Sequence, residues 1–312
     1  MRQVWINFKC HAKENFDFKT YFAVSAFLTI CIFFNYKWDF EDSVLDSYYG
    51  TPLGYVGYAL FFTVPFLSVT GILSMFDRRI RPFSSLKFWV YLFAAGAIVG
   101  VFQGFYHADI LYVKLPKEAV SFVWKSGRML RNFVFIIVPI VLFYLFYDRK
   151  NHESLYGLTL KGVHFRPYVV MLLLMVPLIV LASFQEDFID YYPTYKRTKG
   201  AEFAQWSGFS EWWAVLMYEF TYAMRFVSIE LFYRGFLIFA FVRFLGPKVM
   251  LPMAAAYCFL HFGKPMGEAV SSVFGGYILG VVSLQSKNIW GGVFIHMGIA
   301  LLMELVAFWQ NG

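Results

Sequence analysis

The feature that most constrains this chain is a series of long stretches with no Asp, Glu, Lys or Arg: residues 20–36, 47–76, 88–106, 132–147 and 167–185. About 20 apolar residues cross the roughly 30 Å hydrocarbon layer as a helix, so each run is long enough, or nearly so, to span a bilayer. In hydrocarbon a backbone must satisfy its own hydrogen bonds, which leaves helices as the fold for such runs. Further helical stretches follow near 212–242, 249–262, 269–285 and 289–308, interrupted by few charges. Composition agrees: 59% of residues are hydrophobic, 15% are charged and mean hydropathy is +0.56, outside the range of ordinary soluble domains. The expected fold is therefore all-α, a polytopic transmembrane helix bundle of eight or nine spans. The apolar run beginning at residue 20 is followed by no small-residue cleavage site and is read as a retained span.

One composition shift divides the chain. Residues 185–210 are polar and include Glu186, Asp187, Asp190 and the basic pair Lys196 and Arg197. The expected organisation is N-terminal transmembrane helices over 1–184, this polar loop over 185–210, and a C-terminal helical core over 211–312. The loop reads as solvated, or as a lid. A net charge of +7 and a pI near 9.1 could suit nucleic acid, but Lys and Arg gather at span ends, the signature of membrane topology. No nucleic-acid partner is expected; the lipid bilayer is. A cytoplasmic N-terminus leaves the modest excess of basic residues inside. Cys10, Cys31 and Cys258 form no C-x-x-C pair, so neither a disulfide nor a cysteine-held metal is expected.

The informative residues lie in the last hundred positions. Ionisable groups within the hydrocarbon cost several kcal/mol unless they pair or face a bundle interior. Glu230 and Arg234 are spaced i, i+4, where the two side chains can pair on one helix face. His261 and Glu230 are each about 15 residues, or about 22 Å of helix, from the turn at Gly246-Pro247, so they can meet at one depth. His296 lies about 12 Å into the last helix, shallower unless that helix enters from a recessed loop. Blander readings stand beside this one: Glu230 and Arg234 as a structural ion pair, His261 as an interfacial residue, and His296 as an interhelical hydrogen-bond donor among Gly291, Gly292 and Gly298. Four such groups within one hundred residues favour a shared site.

These residues resemble the motifs of the CAAX prenyl protease and bacteriocin-processing (CPBP) family of intramembrane peptidases. That family carries Glu-Glu-x-x-x-Arg, then Phe-x-x-x-His, then His-x-x-x-Asn on three core helices. Glu230 and Arg234 are similar to the second Glu and the Arg of the first motif. Tyr257 and His261 occupy the second, with Tyr for Phe, and His296 the third. The resemblance covers roughly residues 211–308. Two positions depart from it: Ile229 stands in place of the first Glu, and Ala300 in place of the Asn.

The resemblance implies an endopeptidase embedded in the membrane, acting on a membrane-associated protein or peptide, with a bacterial inner (plasma) membrane as the expected location. It implies Glu230 and His261 as the groups that activate water, His296 at the oxyanion, and Arg234 and Tyr257 in support. Two His and one Glu can also ligate zinc, so a divalent metal held by Glu230, His261 and His296 stays open. Glu219 and Glu304 are further intramembrane carboxylates. Ile229 and Ala300 speak for an alternative, a lapsed family member that binds a partner as a scaffold or immunity-type protein. A transporter is weaker, for want of inverted repeats.

Overall fold

A computed structural model describes residues 2–107, 114–161 and 163–311. No strand occurs among the described residues. The principal helices are α1 (Arg2–Asn15), α2 (Phe18–Trp38), α3 (Pro52–Phe76), α4 (Leu86–Gly104), α5 (Lys117–Phe143), α6 (Arg166–Ala182), α7 (Glu186–Tyr191), α8 (Gly200–Ser207), α9 (Glu211–Glu230), α10 (Ile238–Leu245), α11 (Met250–Phe259), α12 (Met266–Ser286) and α13 (Trp290–Asn311). Their starts follow local chemistry. Asp17 accepts the backbone N–H of Thr20 to cap α2, and Thr51 accepts that of Gly54 to cap α3, whose first residue is Pro52.

Among the described residues, seven helical runs are long and apolar enough to cross a membrane: Phe18–Trp38, Pro52–Phe76, Leu86–Gly104, Lys117–Asn151, Glu211–Phe259, Met266–Ser286 and Trp290–Gln310. Two of the nine expected spans account for the difference in count. Residues Arg166–Ala182 form an apolar helix of 17 residues, and α11 is joined to the preceding helices through a 3₁₀ turn at Gly246–Val249. Met75, Leu86, Phe93 and Trp309 are each 77–79% exposed. Apolar side chains displayed this fully on spanning helices are solvated by lipid, and the protein is an integral membrane protein.

The chain forms two compact units, each assembled from separate segments. The first comprises Met1–Phe105, Pro139–Val163 and Glu230–Gly292. Within it α3 and α4 meet along a glycine seam: a Cβ on Gly100 would come within 2.6 Å of the Tyr55 carbonyl oxygen, and Gly96 and Gly104 continue the row at four-residue spacing. Around Phe241 pack Phe66, Phe88 and Tyr91, with ring centroids at 4.8, 5.5 and 6.0 Å. Helices α11 and α12 close on each other where Gly276 faces Ala254 and Gly280 faces Met253. Helix α2 reaches α12 through the Tyr21 and Tyr277 hydroxyls, 2.6 Å apart.

The second unit comprises Tyr106–Val138, His164–Ile229 and Val293–Gly312. Its interior includes Phe188, Tyr192 and Ala307. Gln310 on α13 donates to Ser183 at the end of α6, and Gly298 lets α13 approach Leu172 of α6. The polar segment is folded in this unit as α7, a 3₁₀ turn at Thr194–Thr198, and α8.

Candidate active site

Glu230 ends α9, and the backbone then widens into a π-helical turn over Leu231–Leu237. Such turns are uncommon and recur at functional sites because they re-aim side chains. Here the turn carries Arg234. Its Nη1 lies 3.0 Å from Oε1 of Glu230, and both side chains are fully buried. The pairing expected from the i, i+4 spacing is thus present, and it neutralises two charges that could not be buried singly.

The guanidinium lies over the ring of Tyr257 of α11, with Cζ 3.8 Å from the ring centroid. A desolvated cation over an aromatic face gains about 2 kcal/mol or more. Tyr233 packs edge-on against the same ring at 5.2 Å. Tyr257 therefore links the first motif to the second, because its ring also meets the imidazole of His261 at 4.7 Å. His261 sits in the turn that follows α11, 7% exposed, and its Nδ1 lies 3.0 Å from the Tyr257 carbonyl oxygen. A carbonyl only accepts, so Nδ1 carries a proton, and when the ring is neutral Nε2 holds the lone pair. That is the tautomer a general base needs, and equally the one a metal ligand needs.

The turn holding His261 is tied down from α2. Tyr36 donates to the carbonyls of His261 and Lys264, at 3.2 and 2.7 Å, and Asn35 donates to that of Phe262. Beyond α2, Glu41 presses its carboxylate on Gly263, where a Cβ would come within 2.5 Å of Oε2. Burial and the neighbouring Asp46 and Asp42 carboxylates push the Glu41 carboxyl up to about 8. Glu41, Asp42 and Asp46 also bring carboxylate oxygens within 4.8 Å of one another.

Two supports were not apparent from the sequence. Asp148 is fully buried and accepts from Tyr91 at 2.5 Å, Asn151 at 2.7 Å, Tyr156 at 2.8 Å and Arg243 at 3.2 Å, with His152 Nε2 at 2.8 Å. This hub fixes Tyr156, whose carbonyl oxygen would be 2.9 Å from a Cβ on Gly235, inside the π turn. The signal was an acidic residue at the end of a long apolar run, indistinguishable in sequence from a loop charge. The other support is Gly292 at the start of α13: a Cβ there would collide with Glu230 Oε2. The last helix thus begins with Gly292 beside Glu230.

His296 lies one helical turn beyond Gly292 and belongs to the second unit, where its ring packs 4.4 Å from Phe226 of α9. Ile229 and Ala300 are in the same unit, 3% and 6% exposed. Glu219 and Glu304 are there too, eleven residues before Glu230 and eight after His296, with their carboxyl groups facing each other.

Residues 211–302 match the sequence model of the family described as "Type II CAAX prenyl endopeptidase Rce1-like". The matched stretch contains Glu230, Arg234, Tyr257, His261 and His296, and supports the CPBP resemblance of the three motifs. No curated protein and no solved structure matches the chain.

Proposed function

We propose that this protein is an intramembrane endopeptidase of the CAAX type, hydrolysing a peptide bond in a membrane-associated protein or peptide. The observation that carries the reading is the fully buried Glu230–Arg234 pair laid on Tyr257, itself in contact with His261. A purely structural helix contact gains nothing from burying a carboxylate and a guanidinium that apolar side chains could replace.

The roles follow from the chemistry of each group. Glu230 accepts a proton from the attacking water, with Arg234 setting its orientation. His261, through Nε2, polarises the same water. His296 offers a hydrogen bond to the oxyanion formed at the scissile carbonyl. Arg234 and Tyr257 position the others. Glu230 and His261 provide a carboxylate and an imidazole of the tautomer that suits zinc. A metal bound there would acidify its water. The setting we favour is a bacterial inner (plasma) membrane.

One observation favours a second reading. At the place of the family's first Glu, Ile229 is buried and apolar. Without that base, and with Ala300 in place of the Asn donor, the chamber would hold a peptide or partner helix without cutting it. Loss of one oxyanion donor alone costs about 10²- to 10³-fold in rate.

The test is cleavage of a peptide library, prenylated and unprenylated, by purified wild type, Glu230→Ala and Ile229→Glu. Endopeptidase function requires cleavage by wild type that Glu230→Ala abolishes, and Ile229→Glu should raise it by about 10²-fold or more, the low end of what a positioned general base contributes. A folded wild type and Ile229→Glu that cleave nothing, while wild type retains a bound partner, would make the binder the correct reading.

A further inference from the structure

The carboxyl pair Glu219–Glu304, with Glu304 buried and Glu219 half-buried, has no part in the proposed hydrolysis. Glu304 on α13 is 2% exposed. Its Oε1 accepts from both the backbone N–H of Thr194, at 2.9 Å, and the Thr194 hydroxyl, at 2.6 Å. That hydroxyl in turn accepts from Tyr218 at 3.0 Å. The remaining oxygen, Oε2, is buried and meets no donor, and neither oxygen of Glu219 on α9 meets one. The two carboxyl groups lie within hydrogen-bonding range of each other. Buried acceptors facing one another, with no donor between them, repel and lose their water besides.

We propose that Glu219 and Glu304 form a proton-binding site that clasps the polar segment 185–208 to the α9–α13 helix pair: one proton, shared between the two carboxyls, lets Glu304 hold Thr194. The proton resides on Glu219, which donates to Glu304 Oε2. Glu304 is the ionised partner, because its other oxygen already receives two hydrogen bonds. The relay then runs Tyr218 to Thr194 to Glu304, with every acceptor supplied.

The surrounding charged and titratable groups do not fill the gap. Arg225 and Tyr218 are on α9, and Tyr218 is committed to Thr194. On the turn, Tyr195 faces Glu211, and Arg197 donates to the Asp190 carbonyl while lying over Tyr191. Helix α13 carries one other titratable side chain, His296, two turns before Glu304. A calcium ion would take six or more oxygens, and two carboxylates with one threonine fall short. Removal of the proton leaves two buried anions in contact, and the turn at Thr194–Thr198 is what can move away.

The test uses full-length protein in lipid nanodiscs. Infrared spectroscopy at neutral pH should show a protonated-carboxyl C=O band that is absent from Glu219→Gln and shifted in Glu304→Gln. In wild type, raising the pH should bleach that band and, with intrinsic exchange corrected, speed amide hydrogen exchange at residues 193–198 by about 10-fold or more. In Glu219→Gln the amide donates to Glu304 without a proton, so exchange there should be independent of pH. Glu304→Leu, which removes the acceptor for Thr194, should exchange fast at every pH. Identical carboxyl bands in wild type and both Gln variants would overturn the proposal. So would a band removed by sodium rather than by alkali, which would identify a cation site. Should a variant fail to fold, titration of wild type against pH and against sodium alone decides the matter.

Discussion

At the scale of single residues, the geometry around Glu230 depends on an atom that is missing. Gly292 has no Cβ, and the space it leaves is filled by Glu230 Oε2. Alanine there meets the end of a flexible side chain rather than backbone, so the fold should survive while the carboxylate swings off its position. We expect Gly292→Ala to keep the thermal midpoint within a few degrees of wild type and, under the proposed endopeptidase function, to lower cleavage by about 10- to 100-fold, since a displacement of about 1 Å can cost two orders of magnitude. Unchanged cleavage by a stable variant would show that Glu230 need not be held there. Arg234 is placed differently, by its own helix: the ion pair follows from four-residue spacing, and the Tyr257 face adds the long-range contact.

Between elements, close approach of helices replaces the hydrophobic effect as the source of stability, because lipid tails are as apolar as the side chains they would exchange for. The α3–α4 seam shows this most directly. Gly100 abuts the Tyr55 carbonyl and the Ala59 methyl, and there is backbone on one side that cannot turn aside. Gly100→Leu should therefore push the helices apart and destabilise the protein by about 1–3 kcal/mol or more, read as a fall in the midpoint of thermal aggregation in detergent. A variant as stable as wild type would mean that the seam closes by other contacts. The row Gly96, Gly100, Gly104 is visible in the sequence, but glycine at four-residue spacing does not tell which helix it faces.

For the whole molecule, the pH dependence of stability offers a test away from the spans. Glu41 is held neutral in the folded protein, with its carboxyl raised from 4.5 to about 8 by burial and the nearby Asp46 and Asp42. The folded state then binds more protons than the unfolded state between these values, so stability should decline as pH rises from about 5 to about 8. Glu41→Gln removes this titration, and its thermal midpoint should fall less over that interval than wild type does. Equal slopes in the two proteins would show that Glu41 titrates alike in both states.

What the sequence determined by itself is whatever depends on local spacing and on the cost of polarity in lipid: an all-α membrane bundle, the Glu230–Arg234 pair, and three motifs ordered as in the family that residues 211–302 match. What only the tertiary structure decided is each partner supplied from far along the chain. The π turn beneath Arg234, the Asp148 hub behind Tyr156, the entry of Gly292 beside Glu230 and the meeting of Glu304 with Thr194 across 110 residues all belong here. Helical periodicity sets which residues share a face, whereas the rotation and register that bring two faces together come from the packing of every other side chain in the bundle.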